Sequence, residues 1–80
     1  MNCDNHNDIA NIVLHMLECY FRDLDGEKPT AVYDMVIKSV ERPMLEYVLK
    51  RTDGNQSAAA DLLGINRNTL RRKLTDYHLI

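Results

Sequence analysis

Two cysteines, Cys3 and Cys19, are all that this chain has for covalent crosslinking. They can form at most one bridge, which is no framework for a small fold. No apolar run approaches the length of a membrane span. The opening Met1-Asn2-Cys3-Asp4-Asn5-His6-Asn7-Asp8 has no basic and apolar export signal, so a reducing cytoplasm is the expected location. No stretch alternates polar and apolar residues with period two, so no strand is expected. Repeats and low-complexity segments are missing as well. So are a phosphate-cradling glycine loop, a nucleophile with a matched base, and a pair of catalytic carboxylates. Hence no enzyme, cofactor or small-molecule substrate is expected.

What remains is 80 residues, 45% hydrophobic and 28% charged, which is a composition for one globular domain. A chain this short buries only about 60% of its unfolded surface, so its core is marginal. Without disulfides, association with a second copy is the natural remedy.

Net charge is −2, but it is unevenly spread. Residues 1–53 hold six Lys/Arg against ten Asp/Glu, and residues 54–80 hold four against two. From Gly64 to Thr75 every charged residue is basic. A positive spot on an acidic body fits a small binding surface for a polyanion.

Four helices are predicted. Residues 1–8 read as a flexible polar tail, with Asp8 capping a helix over Ile9–Leu24. Its apolar residues cover about 220° of the helical wheel, where a surface helix needs little more than about 100°. It is either the central helix of a monomer or, given how little chain is left to wrap it, part of a dimer interface. Asp25–Pro29 forms a turn, with Gly26 at positive φ, and Thr30 then caps a second helix over Ala31–Arg51. Pro43 lies in the middle of that helix. Apolar spacing stays in phase across it, which points to a kink between Val40 and Pro43; two shorter helices are the alternative. Gly54 is the expected left-handed residue at its end. Short helices follow over Gln56–Leu63 and Arg67–Tyr77, capped by Asn55 and Asn66. The reading divides the chain into a tail (1–8), a helical dimerisation region (9–53) and a helix-turn-helix (54–80).

The last region carries the functional signal. Ala60, Gly64 and Leu70 supply a small residue, a glycine four on, and an aliphatic six further. Ala60 lets two helices cross closely. Gly64 reverses the backbone, and Leu70 plugs the gap beside Leu63 and Ile65. Leu70, Leu74 and Tyr77 then form one apolar stripe, leaving Asn68, Arg71 and Arg72 outward and Arg67, Thr69 and Lys73 at the flanks. Such a helix fits the major groove of double-stranded DNA, where bases are read from its N-terminal end. Arg67 can grip a guanine edge, or instead a phosphate. Asn66 reads a base or is only a cap. Thr69, Arg71, Arg72 and Lys73 are placed for phosphates or make up a solvated face. Asn55, Gln56 and Ser57 can hold a phosphate at a helix N-terminus, or simply cap it. Cys3, Asp4 and His6 are weak metal candidates, as are His15 and Cys19 at i, i+4. Tyr20, Phe21, Tyr33 and Tyr47 read as core side chains rather than stacking platforms.

Over residues 9–80, Gly54-Asn55-Gln56-Ser57, Gly64-Ile65-Asn66-Arg67-Asn68-Thr69-Leu70-Arg71-Arg72-Lys73-Leu74 and the Glu41-Arg42-Pro43 segment resemble the bacterial factor for inversion stimulation, the Fis family. The resemblance implies an all-α homodimer, its first two helices intertwined, with a helix-turn-helix at each end. It also implies DNA bending at loosely specified sites, and roles in nucleoid organisation and transcription. Carried over residue by residue, DNA contacts fall on Asn55, Gln56, Ser57, Asn66, Arg67, Thr69, Arg71, Arg72 and Lys73. Asn68 stands where glycine is expected, and its longer side chain adds a contact or crowds the groove. Ala58, Thr75 and Asp76 replace expected basic residues, which implies fewer flanking phosphate contacts. Only about eight residues precede the first helix, too few for the arm with which better-known members stimulate DNA invertases. The same motif also resembles the DNA-binding domain of NtrC-type sigma-54 activators, although the initial Met1 favours a self-standing protein. An acidic pI of about 5.8 keeps one other class open, a dimeric helical module that binds proteins.

Overall fold

A computed structural model describes residues 7–80. Four helices follow one another: α1 (Asn7–Asp23), α2 (Val32–Arg51), α3 (Gln56–Leu63) and α4 (Arg67–Asp76). There is no strand among the described residues. The Cys3, Asp4 and His6 candidates lie outside the described residues. The described residues fall into two compact units, the first ending at Val36 and the second spanning Ile37–Ile80, with the boundary inside α2. In the second unit the C-terminal part of α2 packs with the last two helices.

The first unit holds α1, the turn after it and the first residues of α2. Helix α1 begins two residues before the sequence reading, so Asp8 lies in its first turn rather than at the cap. A carboxylate there still favours the helix, since the N-terminal amides carry partial positive charge. No described residue of α1 is buried, and Ile9 and Ile12 remain 63% and 62% exposed. Tyr20 and Phe21 pack edge to face at 5.4 Å. Cys19 Sγ lies 3.7 Å from His15 Nε2, one turn away. After the turn, Ala31 rather than Thr30 occupies the cap of α2: its carbonyl accepts from Met35 N–H, and its φ is +51°. Alanine has no side-chain oxygen to offer the first amides, so this start is weakly capped.

The second unit contains the core. Helix α2 runs through Pro43 without interruption, so the alternative of two helices does not hold. Its end differs in detail from expectation. Asp53 (φ +53°) and Gly54 (φ +82°) are both left-handed. Gly54 N–H returns to the Leu49 carbonyl and Asp53 N–H to that of Lys50, so Asp53 is the first left-handed residue past the helix. Thr52 Oγ1 adds bonds to the Val48 and Leu49 carbonyls. The same closure recurs after α3, where Ile65 N–H bonds to Ala60 and Gly64 N–H to Asp61, with Gly64 at φ +73°. It recurs again after α4 through Leu79 to Leu74 and His78 to Thr75, with His78 at φ +59°. The second and third closures also return an apolar side chain, Ile65 and Leu79, to the core.

Leu45 of α2, Ala59 and Ala60 of α3, and Leu70 and Leu74 of α4 are buried, Leu74 completely. Val48, Leu49, Leu63, Ile65, Tyr77 and Leu79 surround them. The two alanines let α4 approach α3 closely, as Ala60 alone was expected to do. Leu74→Ala is expected to destabilise the protein by about 2–5 kcal/mol in urea titration. Gly64→Ala is expected to cost about 1–2 kcal/mol purely from backbone strain, since an added Cβ meets nothing within 4 Å.

Candidate nucleic-acid interface

Helix α4 is laid on the core by Leu70 and Leu74, and this decides where its polar residues point. Successive residues turn by about 100°, so the direction opposite that stripe falls on Asn68 and Arg72. Arg67 and Arg71 line one edge on consecutive turns, and Thr69 and Lys73 the other. Arg67, Asn68, Thr69, Arg71 and Arg72 are exposed. The guanidinium groups of Arg67, Arg71 and Arg72 make no ion pair or hydrogen bond among the described residues. Three uncompensated cations thus share about 15 Å of helix.

Both asparagine caps form. Asn66 Oδ1 accepts from Asn68 N–H at 2.7 Å, and Asn55 Oδ1 from Ala58 N–H at 3.1 Å. Each cap uses only the carbonyl oxygen, so both amide NH2 groups stay available beside Arg67 and Ser57. Ser57 is exposed and Gln56 half-buried in the first turn of α3. Thr75 Oγ1 bonds back to the Arg71 carbonyl within α4.

Lys73 is different. Its Nζ lies 2.8 Å from Glu41 Oε2 on α2, with side-chain exposures of 35% and 18%. Tyr77 donates its hydroxyl to Glu41 Oε1 at 2.7 Å. Arg42 Nη2 donates to the Tyr77 carbonyl at 2.7 Å, and the guanidinium sits 5.3 Å from the centre of that ring. Arg42 also lies 3.8 Å from Glu46, in a pair too exposed to stabilise much. Sequence reasoning treated Tyr77 as an apolar stripe residue and assigned Glu41 and Arg42 no role. Their partners lie 32 to 36 residues away, beyond any local pattern. The one available hint was that Lys73 and Tyr77, a turn apart, present two donors from one edge.

These contacts shift two titrations. The hydrogen bond from Lys73 holds the Glu41 carboxyl below its ordinary value, with help from Tyr77 and the Lys73 charge and against the effect of burial. The bond to Glu41 pushes the Tyr77 phenol above its ordinary range, aided by burial and the Glu41 charge and opposed by Arg42.

An exposed helix bearing cations, joined by a three-residue turn to a supporting helix, defines a helix-turn-helix protein. Residues 36–77 match the family described as bacterial regulatory protein, Fis family. A Fis-like DNA-binding protein from Ralstonia nicotianae is 53% identical over 76 residues, which cover 95% of this chain and 99% of that one. A Fis-like DNA-binding protein from Neisseria meningitidis serogroup A is 49% identical over 91% of this chain and 92% of its own length. DNA-binding protein Fis of Glaesserella parasuis is 53% identical over 58 residues, spanning 72% of this chain and 59% of that one. The chain belongs to the Fis family.

The sign of the pH dependence follows from the two shifts. A lowered carboxyl pKa contributes stability above the ordinary glutamate value of 4.5 that is lost as pH falls through the folded value. A raised phenol pKa contributes stability below the ordinary tyrosine value of 10.0 that is lost as pH rises. Glu41→Gln should therefore cost about 1–2 kcal/mol, evenly between about pH 6 and 9. The difference from wild type should shrink at both extremes when unfolding is followed by circular dichroism.

Proposed function

We propose that this protein is a homodimeric, DNA-bending regulator that works on the bacterial nucleoid in the cytoplasm and has no catalytic role. The observation that carries the reading is the row of unpaired arginines on α4, exposed because Leu70 and Leu74 are buried beneath it. The names of the relatives, Fis-like DNA-binding protein and DNA-binding protein Fis, agree with it.

In this mechanism α4 enters the major groove. Arg67 grips a guanine edge through two hydrogen bonds, discriminating by about 1–3 kcal/mol. Asn66, Asn68 and Thr69 complete the N-terminal contacts. Arg71 and Arg72 hold phosphates on one side, and Asn55, Gln56 and Ser57 do so at the start of α3. Phosphate contacts set affinity and base contacts set register. Bending the site costs on the order of 1–6 kcal/mol, recovered through flanking phosphates, so flexible sequences are favoured over a strict consensus.

A second copy is the partner in residues 9–53. Tyr33, Ile37, Val40, Met44 and Tyr47 recur along α2 at alternating steps of four and three, and all are exposed. That spacing makes a seam for another helix, separate from the Leu45 face that meets the core. The exposed apolar residues of α1 call for the same cover. Two α4 helices presented by one dimer would then meet successive major grooves.

Gel-shift titration of an A·T-rich duplex at several salt concentrations tests the DNA reading. If the dimer neutralises about eight phosphates, log K falls against log salt with a slope near −7. The absence of any shift at low salt would instead favour the dimeric protein-binding module. Arg67→Ala should abolish specific binding while sedimentation still finds a dimer. A wild-type monomer at micromolar concentration would defeat the homodimer.

A further inference from the structure

Four side chains between α2 and α4 form a connected polar group that helix-turn-helix geometry does not require. Both Glu41 carboxylate oxygens are occupied, one by Lys73 Nζ and the other by the Tyr77 hydroxyl. Tyr77 is held a second time through its backbone carbonyl, and its ring lies beneath the same Arg42 guanidinium. That carbonyl belongs to the residue capping α4, where carbonyls lack helical partners and a cation is favoured. The first turn of α4 is already placed by the Gly64 turn and by Leu70. The contacts with Glu41 and Arg42 place its last turn.

We infer that Glu41 and Arg42 are positioning residues that clasp α4 through Lys73 and Tyr77, and that Lys73 serves this clasp rather than a DNA phosphate. The inference rests on the DNA-binding reading above for its effect on affinity, but the clasp itself is a property of the free protein. Charge-assisted bonds are short and about twice as strong as neutral ones, so a two-donor grip on one carboxylate resists rotation of the helix. With α4 fixed at both ends, Arg67, Arg71 and Arg72 share one rigid orientation. Three of the four cations of α4 are then left for phosphate and base contacts, and Lys73 is electrically cancelled by Glu41.

The two possible roles of Lys73 predict opposite signs for one substitution. If Lys73 held a phosphate, Glu41→Gln would release it and tighten binding. Lys73→Met would in turn lower the magnitude of the salt slope by about 1.8 for a dimer losing two contacts. In a clasp, Glu41→Gln and Lys73→Met each weaken specific binding by about 3–10-fold, and the double variant is no weaker than either alone. Both leave the salt slope within about 0.5 of wild type. Both also reduce the ratio of specific to non-specific affinity, because a loosened helix misplaces Arg67. Arg71→Ala serves as the control that does lower the slope. Tighter binding by Glu41→Gln, or a slope reduced by Lys73→Met, overturns the proposal. Tyr77→Phe keeps the packed ring and removes only the hydroxyl bond, so it gives the same reading should either charge variant fail to fold.

A DNA-independent arm separates the two levels. In the free protein labelled with 13C-tyrosine, Glu41→Gln should lower the pH at which the Tyr77 phenol titrates. A Tyr77 titration unchanged by the substitution overturns the clasp whether or not DNA binds. Failure of the wild-type protein to bind any duplex overturns the DNA-binding reading alone.

Discussion

Burial of Leu70 and Leu74 against Ala59, Ala60 and Leu45 is the constraint from which the rest of the C-terminal unit follows. Each large side chain removed from water contributes about 1.5–3 kcal/mol, and only three are fully buried. So small a core tolerates little error in how helices meet. Two adjacent alanines allow the close approach that bulkier residues would prevent. Once those leucines face inward, helical geometry leaves no freedom in the direction of Arg67, Asn68, Arg71 and Arg72. The exposed cationic row is thus a consequence of apolar packing, and charge repulsion along it is tolerated because the core sets the helix in place.

The second organising device is the way helices stop. Three of them close with the same pair of backward amide bonds, at Asp53–Gly54, Gly64–Ile65 and His78–Leu79. The closures satisfy carbonyls that would otherwise be orphaned and reverse the chain at fixed points. Only one of the three uses glycine as the first left-handed residue. Asp53 and His78 adopt that conformation at some energetic cost, and the returning side chain of Leu79 packs on the core in compensation.

The N-terminal half obeys a different logic. Its helices carry more apolar surface than the chain itself covers, and its acidic residues are spread rather than grouped. That uncovered surface is where the proposed dimer would pair, whereas the C-terminal unit presents charge. The net charge of −2 is the sum of these two halves, so it says little about either. Glu41 and Arg42 lie in the C-terminal unit, on the part of α2 that also carries Leu45. Through them the C-terminal part of α2 both completes the core and grips the end of α4.

Local chemistry determined much of this protein from its sequence alone. The number and type of helices, the asparagine caps, the left-handed glycine at Gly64 and the inward stripe of Leu70 and Leu74 all depend on neighbours within about one helical turn. They could be read because capping, φ preference and periodicity act at that range. Helix starts were less legible, as Asp8 and Ala31 show, because a cap competes with its neighbours over fractions of a kcal/mol. The partnership of Glu41 with Lys73 and Tyr77, the hold of Arg42 on the carbonyl of the residue capping α4, and the burial of Ala59 were decided only by tertiary structure. These contacts join residues more than ten positions apart, and their existence depends on where the core brings two helices together, which no local pattern encodes.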